Sequence, residues 1–109
     1  MRELLERCPD VDAVFAANDL SASGALRVLR EQGRRVPEDV ALIGFDDMLP
    51  VAEQTDPPLT TVRQDIEEMG RLMARLLLSG LDRRGEAAGP AGTPAGVVLP
   101  TTLVRRASA

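Results

Sequence analysis

The 109-residue sequence has no His, no Lys, no Trp and no Tyr, and Phe15 and Phe45 are its only aromatic residues. Each absence removes a chemistry. Without His there is no Ser-His-Asp triad, no HExxH zinc site and no imidazole proton shuttle. Without Lys there is no Walker-type phosphate lysine and no Schiff base. The single thiol, Cys8, cannot close an intramolecular disulfide or build a Cys-rich metal cage. Two aromatics and a formal charge of −4 give little of the stacking and electrostatic equipment of a nucleic-acid binder. No apolar run approaches the ~20 residues of a membrane span. Met1 to Cys8 is charged and amphipathic and lacks the apolar core of a signal peptide. The expected compartment is the cytoplasm, with no membrane partner, and a reduced Cys8 suits it.

What is present suits one small domain or part of a larger one, with an ordinary 44% hydrophobic content. Residues 2–8 read as the end of a helix stopped by Pro9, and residues 11–17 as a short strand. A helix is expected over about Leu20 to Gln32, with the stripe Ala22, Ala25, Leu26 and Leu29 and a stop at Gly33. Gly24 is expected to permit close approach to a sheet. The apolar run 40–45 suits a strand covered on both faces. Strand, helix, strand makes a βαβ unit, so the fold class is α/β with a parallel sheet. Residues 50–58 read as an irregular crossing and 59–63 as extended. Asp65 can cap a further helix with Glu68 as the far arm of a capping box, and Ile66, Met69, Met73, Leu76 and Leu77 form its stripe up to a stop at Gly80. Residues 82–96 read as a low-complexity loop and 97–104 as a returning extended segment.

Two polar clusters carry the functional interest. Asn18-Asp19 and Asp46-Asp47 each follow an expected parallel strand, so both lie at the carboxyl edge of the sheet, where open α/β sheets bind ligands. Asn18 offers a donor and an acceptor, and the Asp46 carboxylate can accept two hydroxyl protons from a polyol. A plain structural reading stands beside this one: Asn18 and Asp19 cap a helix, and Asp46 and Asp47 end a strand in a turn. Receiver-type metal and phosphate chemistry would need a Lys, and the acidic residues are too dispersed for a metal cage. Cys8 reads as a small buried apolar group, because neither His nor Lys is present to activate it. Phe15 and Phe45 read as core, with Phe45, beside Asp46, also able to form a pocket wall; Thr60-Thr61 reads as strand structure, and Arg34 and Arg35 as solvated charges past a helix end.

Several separated blocks occur in a characteristic order: FAAND, RVPEDVALIGFDD, PPLTTVRQ and VVLPTTLV. In this the sequence closely resembles the C-terminal part of the effector-binding region of the lactose-repressor (LacI/GalR) family of bacterial transcription regulators. The resemblance implies a periplasmic-binding-protein-like fold of two α/β lobes around a cleft that takes a small effector, often a sugar or nucleoside-like molecule. It implies that Asn18 and Asp46 contact the effector and that Ile66 lines the pocket. Asp19 and Asp47 are assigned first to capping and turn roles. By the same analogy residues 1–58 and 97–106 belong to the second lobe, 59–81 to the first, and 82–96 to a loop of variable length. The first lobe is incomplete, and the family's helix-turn-helix domain is not found in these residues. DNA would be contacted through that missing domain and not by this segment.

The expected function is therefore effector sensing in a regulator, with no catalysis, no catalytic residue, no cofactor and no metal. The intact protein is expected to form a homodimer, partly through the helix at 20–32. Alternatives are a solute-binding component of a sugar uptake system, or an inert fragment. Because the stripe from Ile66 to Leu77 has little to pack on, the isolated chain is expected to be marginally stable and to self-associate.

Overall fold

The computed structural model describes residues 1–82 and 96–109. They form two compact units: Met1–Gln64 with Thr101–Ala109, and Asp65–Pro100.

The first unit contains α1 (Arg2–Arg7), β1 (Ala13–Phe15), α2 (Asp19–Glu31), β2 (Ala41–Asp46), α3 (Leu49–Ala52), β3 (Thr60–Gln64) and β4 (Thr101–Val104). The strands make one sheet in the order β1-β2-β3-β4. β1, β2 and β3 run parallel, and β4 runs antiparallel to β3. The βαβ unit forms as the apolar pattern requires. Asn18 has extended backbone and its side chain accepts a hydrogen bond from the Ser21 amide at 2.8 Å, which starts α2. Ala22, Ala25, Leu26 and Leu29 are buried on one face of α2. The helix is followed by Gly33 at φ +70°, a conformation that favours glycine.

The core consists of small aliphatic side chains, chiefly Leu26, Leu29, Val40, Leu42 and Leu59, with several alanines. Fully burying a Leu stabilises a fold by about 1.5–3 kcal/mol, so these few residues dominate the packing. Phe15 does not join them: it is 64% exposed and meets Phe45 edge-on, with ring centroids 6.5 Å apart. Strand alternation explains this, because neighbouring Val14 packs against the core and Phe15 takes the opposite face. Cys8 is exposed, contrary to expectation, because it caps α1, a helix that buries no residue. Gly24 has open space where a Cβ would stand, so its expected close approach is not made. The crossing at 50–58 contains a helical turn, α3.

The end of the chain is tied into the sheet. The Leu42 amide donates to the Ser108 carbonyl at 2.8 Å, and Ser108 Oγ donates to the Leu42 carbonyl while accepting from the Thr60 amide. Residues 59–64 were expected with the segment that follows them. Their pairing with β2 and β4 puts them in the first unit, so the boundary falls between Gln64 and Asp65.

The second unit contains α4 (Ile66–Asp82). Asp65 Oδ1 accepts from the Glu68 amide at 2.8 Å, as a cap should. The Glu68 carboxylate pairs with Arg71 and Arg75 rather than reaching back to close a capping box. Arg71 also pairs with Glu67. α4 continues through Gly80, the expected stop. Its apolar stripe is largely exposed, at Ile66, Met73, Leu76 and Leu77. Residues 97–100, expected with β4, lie in this unit. The expected loop at 82–96 falls mostly on residues 83–95, outside the described residues.

Candidate functional site

The carboxyl ends of β1, β2 and β3 share one edge of the sheet because the strands are parallel. Phe15 pairs with Ile43, and Asn18 and Asp46 each lie three residues further on, so both reach this rim. Asp46 pairs in register with Arg63, which brings Gln64 to the rim as well.

Each of the two residues is partly used and partly free. Asn18 is half-buried and spends its Oδ1 on the Ser21 amide. Among the described residues its side-chain NH₂ makes no hydrogen bond. Asp46, also half-buried, accepts from Gln64 Nε2 at 2.8 Å through Oδ1. Its Oδ2 has no partner among the described residues. The rim therefore presents a free amide donor on one strand end and a free carboxylate oxygen on the next. That pair suits a neutral molecule with adjacent hydroxyls. Ile66 lies in the second unit and is 59% exposed.

The residues beside these two do more than cap and turn. Asp19 is completely buried. Its Oδ1 accepts from Thr61 Oγ1 at 2.6 Å and its Oδ2 from the Met48 amide at 2.7 Å. It thus ties the first turn of α2 to β3 and to the turn after β2, while Asn18 alone is the cap. Gly44 makes room for this carboxylate: a Cβ there would stand 2.2 Å from Asp19 Oδ1 and 2.8 Å from Leu59 Cδ2.

The Asp47 side chain is 1% exposed and lies between two guanidinium groups. Arg63 Nε donates to Oδ2 at 2.5 Å, and Arg106 Nη2 donates to Oδ1 at 2.8 Å. Burial pushes the Asp47 carboxyl up, but the hydrogen bonds and charges of Arg106 and Arg63 outweigh it and hold the group below the usual carboxylate range. Asp46 and Asp47 both have positive φ, 100° and 55°. Such backbone costs a non-glycine residue on the order of 1–3 kcal/mol and persists only where its surroundings enforce it.

Gln64, Arg63 and Arg106 are the residues that sequence reasoning passed over, while Thr61, read as strand structure, lies in β3 and also donates to Asp19. Gln64 ends the PPLTTVRQ block and is the strand-end neighbour of Asp46. Opposite charges at 47 and 63 on adjacent strand ends were the available signal. Arg34 and Arg35 are engaged more than expected: Arg34 donates to the Pro9 carbonyl and Arg35 makes a two-point pair with Asp39. Two surface concavities, of about 270 and 440 Å³, lie away from the rim. The first is lined by residues of α1 with Gln32 and Arg34, the second by Leu26, Arg30, Val36 and Pro57 among others. Asn18, Asp46 and Ile66 line neither. Among the described residues, no group of three or more acidic, Cys or His side chains is placed to hold a metal ion. No described helix is long and apolar enough to cross a membrane.

Residues 1–109 match the family of periplasmic binding protein-like domains. The regulator CelR of Thermobifida fusca is 56% identical over 99% of the chain, and GalS of Salmonella typhimurium is 44% identical over 99%. The chain spans about 30% of the length of each. A solved complex of CelR with cellobiose superimposes with a TM-score of 0.85 at 56% identity, covering 99% of this chain and 31% of that one. A LacI-family regulator from an Arthrobacter species, in complex with lactose, gives 0.76 at 38% identity, covering 97% and 38%.

Proposed function

The chain belongs to the periplasmic binding protein-like domains of the LacI/GalR family, and from that premise we propose that it is the C-terminal part of a regulator's sugar-sensing region. The observation that carries this reading is the pair of unspent polar groups at the rim, the Asn18 amide and the second oxygen of Asp46. Cellobiose and lactose, held by two relatives in their solved complexes, both present adjacent hydroxyls that such a pair can grip.

In this reading Asn18 donates to an effector oxygen, Asp46 accepts from effector hydroxyls, and Ile66 supplies an apolar contact. The first unit is part of the second lobe and α4 part of the first. Effector binding shifts the orientation of the lobes, and with it the DNA affinity of an N-terminal domain. The regulator works in the cytoplasm as a homodimer paired partly through α2, and it catalyses no reaction and needs no cofactor.

Calorimetric titration of the full-length protein with cellobiose tests the assignment. A hydrogen bond to a charged group contributes about 1.5–3 kcal/mol, so Asp46→Ala, which removes the acceptor, should weaken binding by about 10- to 150-fold. Unchanged affinity in that variant would remove Asp46 from the site.

A further inference from the structure

Asp46 is useful to a ligand only if its free oxygen points outward while the other stays on Gln64, and its own backbone does not favour that arrangement. At φ 100° it is followed by a second non-glycine residue at φ 55°. The enforcing contacts surround its neighbour. Both oxygens of Asp47 are taken, one by Arg63 and one by Arg106. Arg106 makes two further hydrogen bonds, its Nη1 donating to the Leu59 carbonyl at 2.9 Å and its amide to Thr60 Oγ1 at 2.9 Å, and its Nη2 also lies 4.0 Å from Glu53 Oε1. On the far side the Met48 amide is held by Asp19. The turn is thus pinned at 47 and 48 to β3, to α2 and to the residues after β4. Arg63 and Gln64 are consecutive, so one strand end holds both acidic residues: Arg63 takes Asp47 and Gln64 takes Asp46.

We propose that Asp47, clamped between Arg63 and Arg106, is a positioning residue that sets the direction of the Asp46 carboxylate at the rim. Its consequence for affinity rests on the sugar-sensing reading above; its geometry does not. When Arg106 is lost, the turn relaxes, the Asp46–Gln64 bond opens, and the rim loses its preformed acceptor.

The ligand-free test follows the side-chain amide resonances of Gln64 by NMR in the full-length protein. Asp46→Ala marks where those signals fall when the acceptor of the Gln64 bond is removed. Arg106→Met should move them away from the wild-type position towards that mark, and Arg106→Lys should restore them in part. Should Arg106→Met fail to fold, Arg63→Met removes one arm of the clamp from a half-exposed site and is read the same way. Gln64 signals that stay at the wild-type position in a folded clamp variant overturn the proposal.

Cellobiose titration supplies the second arm. Arg63→Met should weaken binding on the order of tenfold, and adding it to Asp46→Ala should cost nothing more, because both changes act through one carboxylate. Additive losses overturn the proposal. If the wild type does not bind cellobiose, the sugar-sensing reading fails, and the NMR arm still decides the positioning role.

Discussion

The helices α2 and α4 carry the same kind of apolar stripe and meet different fates. α2 buries Ala22, Ala25, Leu26 and Leu29, and the first three of these cluster with Leu42 of β2 and Leu59. α4 leaves Met73, Leu76 and Leu77 at 47–65% exposure. Periodicity shows that a face is apolar; it does not show that the face is covered. The comparison is sharpest when one buried and one exposed leucine are substituted, one in each unit. Leu59, fully buried in the core cluster, should cost about 2–5 kcal/mol as Leu59→Ala in chemical denaturation. Leu77→Gln on α4 should stay within about 0.5 kcal/mol. It should also shift sedimentation of the 109-residue chain towards monomer, because it interrupts an exposed apolar stripe. Equal losses at the two positions would mean that the face of α4 is covered after all.

The same contrast explains how much was legible beforehand. The βαβ unit, the α2 stripe and the Asp65 cap follow from local periodicity and capping chemistry, and the structure contains them. The rim was legible too, because parallel strands necessarily share their carboxyl ends. The roles of Asp19 and Asp47 were not. Each looks like an ordinary cap or turn residue in sequence, and its partners lie far along the chain: Thr61 for Asp19, and Arg63 and Arg106 for Asp47. Ser108 was invisible for the same reason, since its bonds to Leu42 and Thr60 depend on where the chain returns. Phe15 is exposed although it is hydrophobic, because strand alternation assigns Val14 to the core face.

Acid acts on both sets of ion pairs. The Asp47 carboxyl is depressed in the folded state, so its contribution to stability is complete above the unfolded carboxylate value of about 3.9 and is lost as pH falls through the folded value. Asp39 is depressed in the same direction, chiefly by its hydrogen bonds from Arg35, but it sits at the surface. Thermal unfolding followed from pH 6 downward should fall off below about pH 4. Asp47→Asn and Asp39→Asn should each flatten part of that fall, because both carboxyls are held below their usual range in the folded state. A variant that leaves the fall unchanged would remove its carboxyl from the acid transition.

The smallest effect belongs to the start of α4. Asp65 satisfies the Glu68 amide, one of the amides at the helix start that have no carbonyl partner within the helix, and its charge complements the positive end of the helix. Asp65→Ala should cost about 1 kcal/mol, and Asp65→Asn, which keeps the acceptor, much less. The loss should appear as faster amide exchange in the first turn of α4, while the amides of β2 and β3 exchange as before. That pattern would mean that the second unit can loosen without disturbing the sheet that carries Asn18 and Asp46. If β3 exchanges faster as well, the boundary at Gln64 and Asp65 is mechanically continuous, and a change at the head of α4 reaches the rim through Gln64 itself.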